Sequence, residues 1–468
     1  MMRAGPSMAE TQAVATTEPL RPEETGPLPA VVAYIHHGQV PGGAPTSLRI
    51  LVEEIGRQAP RTERRIWCVF SPMMPYFAQI EGAQVDKYIE TPVLTGKKLI
   101  GWSPLFQASA LGLLLRQLMA ARATIAREVA WLRRHRPDIV HLNSATLWTS
   151  AIAARRAGIP LVWHVRETLH GRAWNPRKHL YGSFLRRTAD AVIAISPQDA
   201  ASLGSDREGK VNVVYNAVNL DRFAPERHDG QAARKSHGIP DDAFVILSLG
   251  GFSYRKGAWQ LIRALKALPD RFHLVVAGDH LPRQPIRPTM PMRLRWRLEN
   301  LAVRIGWRAT QTWRYPERVK AECAGVESRL HQVGHVDDVA PLIAACDALV
   351  FAGTIPHFAR PVYEAWAMEK PVVAFDTPVM RSEIANGEDG LLVPRDAPEA
   401  LAAAFTFIAQ NPSRAREFGK HGRVKALGRF DSGANVRAVL NIYRKLMTDL
   451  SAKAEVATAA SRDLPKRP

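Results

Sequence analysis

Cysteine is scarce. The 468 residues hold three, Cys68, Cys323 and Cys346. Being odd in number, far apart and without metal-ligand spacing, they exclude a disulfide framework and a thiolate metal site, and a reducing cytoplasm is the simplest compartment. Acids are also few: 44 Asp and Glu against 63 Lys and Arg leave a net charge of +19. Such a chain attracts a polyanion, and nucleic acid, an anionic membrane surface and a phosphorylated substrate all qualify. No recognition motif accompanies the charge, so nucleic acid is not an expected partner. Long hydrophobic runs are missing too. Residues 1–29 lack a signal-peptide core and are rich in Pro, Thr and Glu, which reads as a disordered tail. The stretch Leu99 to Leu115 is interrupted by Ser103, Pro104, Gln107 and Ser109 and closed by Arg116, so it is not read as membrane-spanning. No Asp-x-Asp pair stands where a metal would hold a diphosphate and no His/Cys cluster has ligand spacing, so neither metal nor cofactor is expected.

What is present is an alternation of strand and helix patterns. An apolar content of 46% with 23% charge suits a globular chain of two or three domains. From Ala30 the run Val-Val-Ala-Tyr-Ile-His-His-Gly reads as a buried strand, and Pro41-Gly42-Gly43-Ala44 leads into a helix reaching about Gln58. These glycines let backbone approach a diphosphate or a sugar, or simply make a tight turn. Further strands are expected at Arg65–Phe70, Asp138–Leu142, Pro160–Val165, Ala191–Ile195 and Val211–Tyr215, with an amphipathic helix over about Phe106–His135 and Ser196 as a helix cap. This gives a Rossmann-like domain over 30–223 and a polar linker over 224–242. A second such domain follows over 243–434, then a helix over 435–450 and a charged tail over 451–468.

Candidate site residues fall at strand ends. In Thr354–Phe375, Pro361 suits a first helical position and Pro371 ends the helix before the strand Pro-Val-Val-Ala-Phe. The N-terminus of this helix suits a phosphate, Arg360 offers a bidentate guanidinium at its mouth, and Glu364, one turn inside, has a carboxylate that accepts ribose hydroxyls. Arg255-Lys256-Gly257, between a strand and a helix, puts two cations where a diphosphate would sit; the alternative is a solvated basic turn. His164 ends a strand where open α/β sheets bind ligands, and the adjoining Arg166 and Glu167 read equally as site residues or as a pair holding the loop. An insert over 281–320 carries ten Lys and Arg against two acids. Its Leu294, Leu298, Leu301 and Ile305 share a helical face beside Arg293, Arg297, Arg304 and Arg308, with Trp296, Trp307 and Trp313 nearby. That pattern fits a helix packed on its domain or one lying on an anionic membrane.

The run Arg360-Pro361-Val362-Tyr363-Glu364-Ala365, followed by Lys370-Pro371-Val372-Val373-Ala374 and by Asn386-Gly387-Glu388-Asp389-Gly390, resembles the donor-site signature of family 4 retaining glycosyltransferases. The resemblance implies the α/β GT-B fold: two Rossmann-like domains facing a central cleft, with a C-terminal helix crossing back to the first. It implies transfer of a sugar, with retention and without metal, from a nucleotide sugar (UDP- or GDP-linked) to a glycan or lipid-linked acceptor in cell-surface polysaccharide synthesis. Lys256 matches the family's phosphate lysine, and Arg255 substitutes for an arginine usually found where Gly251 stands. His164 matches a histidine that touches the donor sugar, and Glu364 matches the second of two glutamates. Pro356 stands where the first is usual, with His357 and Arg360 as polar groups in the same loop. Asn216-Ala217-Val218-Asn219 softens a family Asn-Gly-Val-Asp pattern. Two rivals remain: an epimerase or hydrolase of nucleotide sugars on the same fold, and a non-catalytic protein that binds polyanions or membranes.

Overall fold

The computed structural model describes residues 26–40, 42–91, 108–167, 169, 176–281, 315–354 and 359–462. The insert's tryptophans and its leucine and arginine faces lie outside the described residues, as do Pro356 and His357. The chain divides into two compact units, residues 1–214 with 433–468, and residues 215–432.

In the first unit the described residues form a seven-stranded sheet of order β3-β2-β1-β4-β5-β6-β7, every neighbouring pair parallel. Its strands are β1 (Val31–His36), β2 (Glu63–Cys68), β3 (Ala83–Lys87), β4 (Ile139–Leu142), β5 (Leu161–Val165), β6 (Ala191–Ala194) and β7 (Val211–Val213). Parallel strands must be joined by crossovers that cover both faces, which is why β4, β5 and β6 are buried along their whole length. The period of two sorts their side chains. Ala33, Ile35, Val140, Leu142, Leu161 and Trp163 enter one core, and Val32, Tyr34, Ile139 and Val162 the other. The second core is roofed by the helix Gly43–Gln58 and by the last helix, Ser432–Arg462, whose Val436, Val439, Leu440 and Tyr443 share one helical face. The C-terminal helix thus returns to the first unit, and it begins earlier and runs longer than the expected 435–450. Ser196 caps its helix, accepting a hydrogen bond from Asp199 N.

The second unit carries β8 (Phe244–Leu249), β9 (Phe272–Ala277), β10 (Leu330–Gly334), β11 (Ala348–Phe351), β12 (Val372–Phe375) and β13 (Leu391–Val393) in the order β10-β9-β8-β11-β12-β13, again all parallel. The expected linker over 224–242 is built into this unit. Asp229 caps the helix Gly230–Ser236 through Gln231 N and Ala232 N. The buried Arg234 then donates to Ala345 O (2.9 Å), Ala243 O (3.0 Å) and Asp347 Oδ2 (2.8 Å). The polar residues that read as a linker are a helix cap and a buried guanidinium, so the boundary falls after Val214, earlier than the expected 223. Among the described residues no helix is long and apolar enough to cross a membrane.

One contact fixes the helix Arg360–Ala367 from behind. A Cβ on Gly419, in the helix Pro412–Arg429, would lie 1.9 Å from Glu369 O, and one on Gly422 2.1 Å from Trp366 Cδ1. Gly419→Ala is therefore expected to destabilise the protein by about 1–3 kcal/mol through overpacking. Gly428→Ala, where a new Cβ meets nothing within 4 Å, should instead be neutral or stabilising by up to about 1 kcal/mol. Equal melting temperatures for the two variants would show that the helices do not meet this closely.

Candidate active site

In each sheet the direction of winding reverses once, between β1 and β4 in the first unit and between β8 and β11 in the second. Loops leaving the carboxyl ends of such a strand pair turn to opposite faces, and a crevice opens between them. Gly42 and Gly43 follow β1, Arg255 and Lys256 follow β8, and Arg360 and Glu364 follow β11, whereas His164 lies one strand beyond β4, near the end of β5.

In the first unit β1 ends at His36 and the chain reaches Gly42 and Gly43, where the helix Gly43–Gln58 starts. A Cβ at either glycine would meet nothing within 4 Å, so packing does not demand glycine there and the space in front of the loop is open. Asn143, just past β4, donates to Ala44 O (3.2 Å) and accepts from Arg166 Nε (2.9 Å). One amide side chain thereby joins the glycine loop to the end of β5. Glu167 accepts from Ser144 Oγ and from Ala145 N (2.8 Å). Arg166 and Glu167 thus both hold the loop after β4. His164, the penultimate residue of β5, is buried. Its Nδ1 lies 3.2 Å from His141 Nε2, and His141 Nδ1 lies 2.7 Å from Tyr443 Oη. Burial, reinforced by Arg166, pushes His141 down to about 3 and His164 well below the usual histidine range. No signal in the sequence points to this chain: His141 and Tyr443 occupy positions that strand and helix periodicity assign to the core.

In the second unit β8 runs into Gly250 and Gly251, both at positive φ. A Cβ on Gly250 would sit 2.6 Å from Lys256 Cε, so the missing side chain makes room for the lysine stem. Lys256 Nζ lies 5.5 Å from the centre of the Phe351 ring at the end of β11, an attraction between cation and ring face. Thr354 joins the loops after β8 and β11, its N donating to Arg255 O (3.0 Å) and its Oγ1 to Tyr254 O (2.9 Å). Arg255 has an exposed side chain, whereas Lys256 is half-buried and is pushed down to about 8, first by burial and then by Arg255.

The helix Arg360–Ala367 has Pro361 in its first turn. It ends before the residue preceding Pro371, because Glu369 takes a left-handed conformation (φ 56°) with its carbonyl against Gly419. Arg360 Nη1 donates to Ala217 O (3.1 Å) and lies 3.8 Å from Glu364 Oε1, which places the Asn216–Asn219 stretch beside the helix start. Glu364 is 6% exposed. Burial pushes it up to about 7, against the opposing pull of Arg360 and Arg222. The Asn386–Gly390 turn works from behind: Asp389 O accepts from Trp366 Nε1 (2.9 Å), and Lys425 bonds the Asp389 carboxylate. The second unit therefore ties the Arg255–Lys256 turn to Thr354 after β11 and sets Arg360 beside Glu364 in the helix that follows, and the first ties the glycine loop to the end of β5 through Asn143 and Arg166, with His164 itself buried.

Glu364 binds its proton more tightly folded than unfolded, so its contribution to stability is whole below about pH 4.5 and is lost as pH rises through about 7. Glu364→Gln should therefore gain on the parent protein between pH 5 and pH 8, by up to about 3 kcal/mol for a shift of this size. Denaturant melts at both pH values check this, and a constant difference would place the carboxyl in water.

Two family models match the chain: "Glycosyltransferase Family 4" over residues 106–222 and "Glycosyl transferases group 1" over residues 229–425. Among curated relatives, D-inositol 3-phosphate glycosyltransferase 2 of Catenulispora acidiphila is 29% identical over 360 residues, covering 72% of this chain and 77% of the relative. The lipopolysaccharide core biosynthesis glycosyltransferase LpsE of Rhizobium meliloti is 26% identical over 263 residues, 56% of this chain and 65% of the relative. Among solved structures, Anabaena Alr3699/HepE with UDP and glucose superposes with a TM-score of 0.66 at 20% identity, over 87% of this chain and 97% of that one. At that identity the likeness speaks for the fold alone, an α/β fold with two parallel sheets. The chain belongs to the family 4, group 1 glycosyltransferases and has their GT-B fold.

Proposed function

We propose that this protein is a retaining, metal-independent glycosyltransferase that moves a sugar from a UDP- or GDP-linked donor to a glycan or lipid-linked acceptor in cell-surface polysaccharide synthesis. It would work in the cytoplasm, peripheral to the inner face of the plasma membrane. The observation that carries this reading is the tie at the carboxyl ends of β8 and β11, where Thr354 bonds the turn that bears Arg255 and Lys256 and the chain leads on to the helix that bears Arg360 and Glu364. The membership of the family and the UDP and UDP-glucose held by structural neighbours support it.

Breaking the bond from sugar to phosphate puts negative charge on the departing nucleotide. Lys256 and Arg255 stabilise that charge most at the transition state, doing the work a metal ion does elsewhere. Glu364 accepts the ribose hydroxyls, and His164 bonds the sugar. In a front-face displacement the departing phosphate takes the acceptor's proton, so no enzymic base is required. The +19 charge would hold the protein near anionic lipid, where a lipid-linked acceptor resides.

A panel of UDP- and GDP-sugars should raise the melting temperature for at least one member, and that donor should release nucleotide when membrane extract supplies acceptor. Neither effect with any donor would end the transferase reading. The donor's affinity should also fall as pH rises from 7 to 9, because Lys256 loses its proton near 8. Lys256→Arg should bind with little dependence on pH in that range, and Lys256→Met should lose two to three powers of ten in turnover, the usual cost of one such group. A pH-independent affinity in the parent protein would remove Lys256 from the diphosphate site.

A further inference from the structure

His164, His141 and Tyr443 form an unbroken hydrogen-bonded chain through the core roofed by the C-terminal helix. The separations are 3.2 Å between His164 Nδ1 and His141 Nε2 and 2.7 Å between His141 Nδ1 and Tyr443 Oη. All three side chains are 3% exposed or less. His141 and His164 lie on adjacent strands with ring centres 5.3 Å apart, and Tyr443 meets His141 edge-on. Among the described residues, His164 Nε2 is buried with no hydrogen-bond partner. A buried ring nitrogen left without a partner is costly in a finished core and is expected where a ligand completes the bond.

Both imidazoles are neutral, so each carries one proton, and with Tyr34, whose hydroxyl meets that of Tyr443 and completes the chain, two arrangements are consistent. In one, Tyr443 donates to His141 Nδ1, His141 Nε2–H donates to His164 Nδ1, and the proton of His164 is left on Nε2. In the other every donor points the opposite way, and His164 Nε2 is a bare lone pair. The phenol is the stronger donor and the imidazole nitrogen the stronger acceptor. The 2.7 Å separation is the length of a bond donated by a hydroxyl, shorter than the usual N–H bond. The first arrangement follows.

We infer that Tyr443 is a positioning residue, acting through His141 to fix His164 as the Nε2–H tautomer, so that the first unit offers a hydrogen-bond donor at the end of β5. The group it serves is a neutral or anionic oxygen, such as a sugar hydroxyl. That assignment of ligand rests on the proposed transferase function; the tautomer does not.

The test is a long-range nitrogen–proton spectrum of protein labelled with 15N-histidine, taken at pH 7.5 without ligand, with His141→Gln and His164→Gln assigning the signals. The parent protein should show both histidines protonated on Nε2, and a His164 protonated on Nδ1 overturns the inference. That spectrum decides the matter even if Tyr443→Phe does not fold. If the variant folds, it keeps the ring and loses the hydroxyl, so the signals of both histidines should move toward protonation on Nδ1. With the donor that the panel identifies, its kcat should fall at least fivefold. Val439→Ala, which thins packing on the same helical face, should lower the melting temperature yet keep the parent tautomer and a kcat within twofold. Tyr443→Phe with the parent pattern, or matching Val439→Ala in both measurements, leaves Tyr443 a packing residue and overturns the inference. Failure of the donor panel would sink the transferase reading and leave the tautomer result standing.

Discussion

Strands that all run one way must each be followed by a crossover, and a crossover commits its loop to one face of the sheet. Where winding reverses, two neighbouring loops part and leave a crevice edged by strand ends. The rest of this structure depends on that constraint. The pair β1 and β4 opens the glycine loop beside Asn143 and the end of β5; the pair β8 and β11 opens the Lys256 turn beside Thr354. Topology supplies the opening, and polar residues occupy it because the apolar positions are taken up by the two faces.

Holding charge in those openings requires space as well as partners. Lys256 lies where a side chain on residue 250 would stand, and Glu364 is buried beside Arg360, with the Arg360 guanidinium also bound to the Ala217 carbonyl. Both groups are held away from the protonation state they have in water, the lysine toward neutrality and the carboxyl likewise. A phosphate arriving beside the lysine would reverse its shift, so part of the cost of burying the cation is returned only when an anion binds.

Much of the fold was legible because parallel strands buried on both faces write themselves as apolar runs, as Phe244–Leu249 and Val372–Phe375 do. Elements at the margins were harder. β3 alternates half-buried and exposed residues at a sheet edge, and the Gly230–Ser236 helix is polar because it carries a cap and a buried arginine. The second-unit candidates stand out in the sequence because they lie at helix starts within short, recognisable runs. The partners of His164 could not. His141 and Tyr443 are separated by 302 residues and are polar in positions where periodicity predicts only burial, and only the folded chain brings them together.

The first unit is discontinuous in sequence, and this has a consequence for its synthesis. Its strands leave the ribosome long before the helix Ser432–Arg462, and the whole of residues 215–432 is made in between. Until that helix arrives, the face bearing Val32, Tyr34, Ile139 and Val162 lacks part of its cover, while the second unit already has every strand it needs. The order in which the two units are completed is therefore the reverse of the order in which they are begun. A ribosome that stalls before Ser432 leaves a second unit able to fold, tethered to a first unit whose open apolar face is a target for chaperones and proteases.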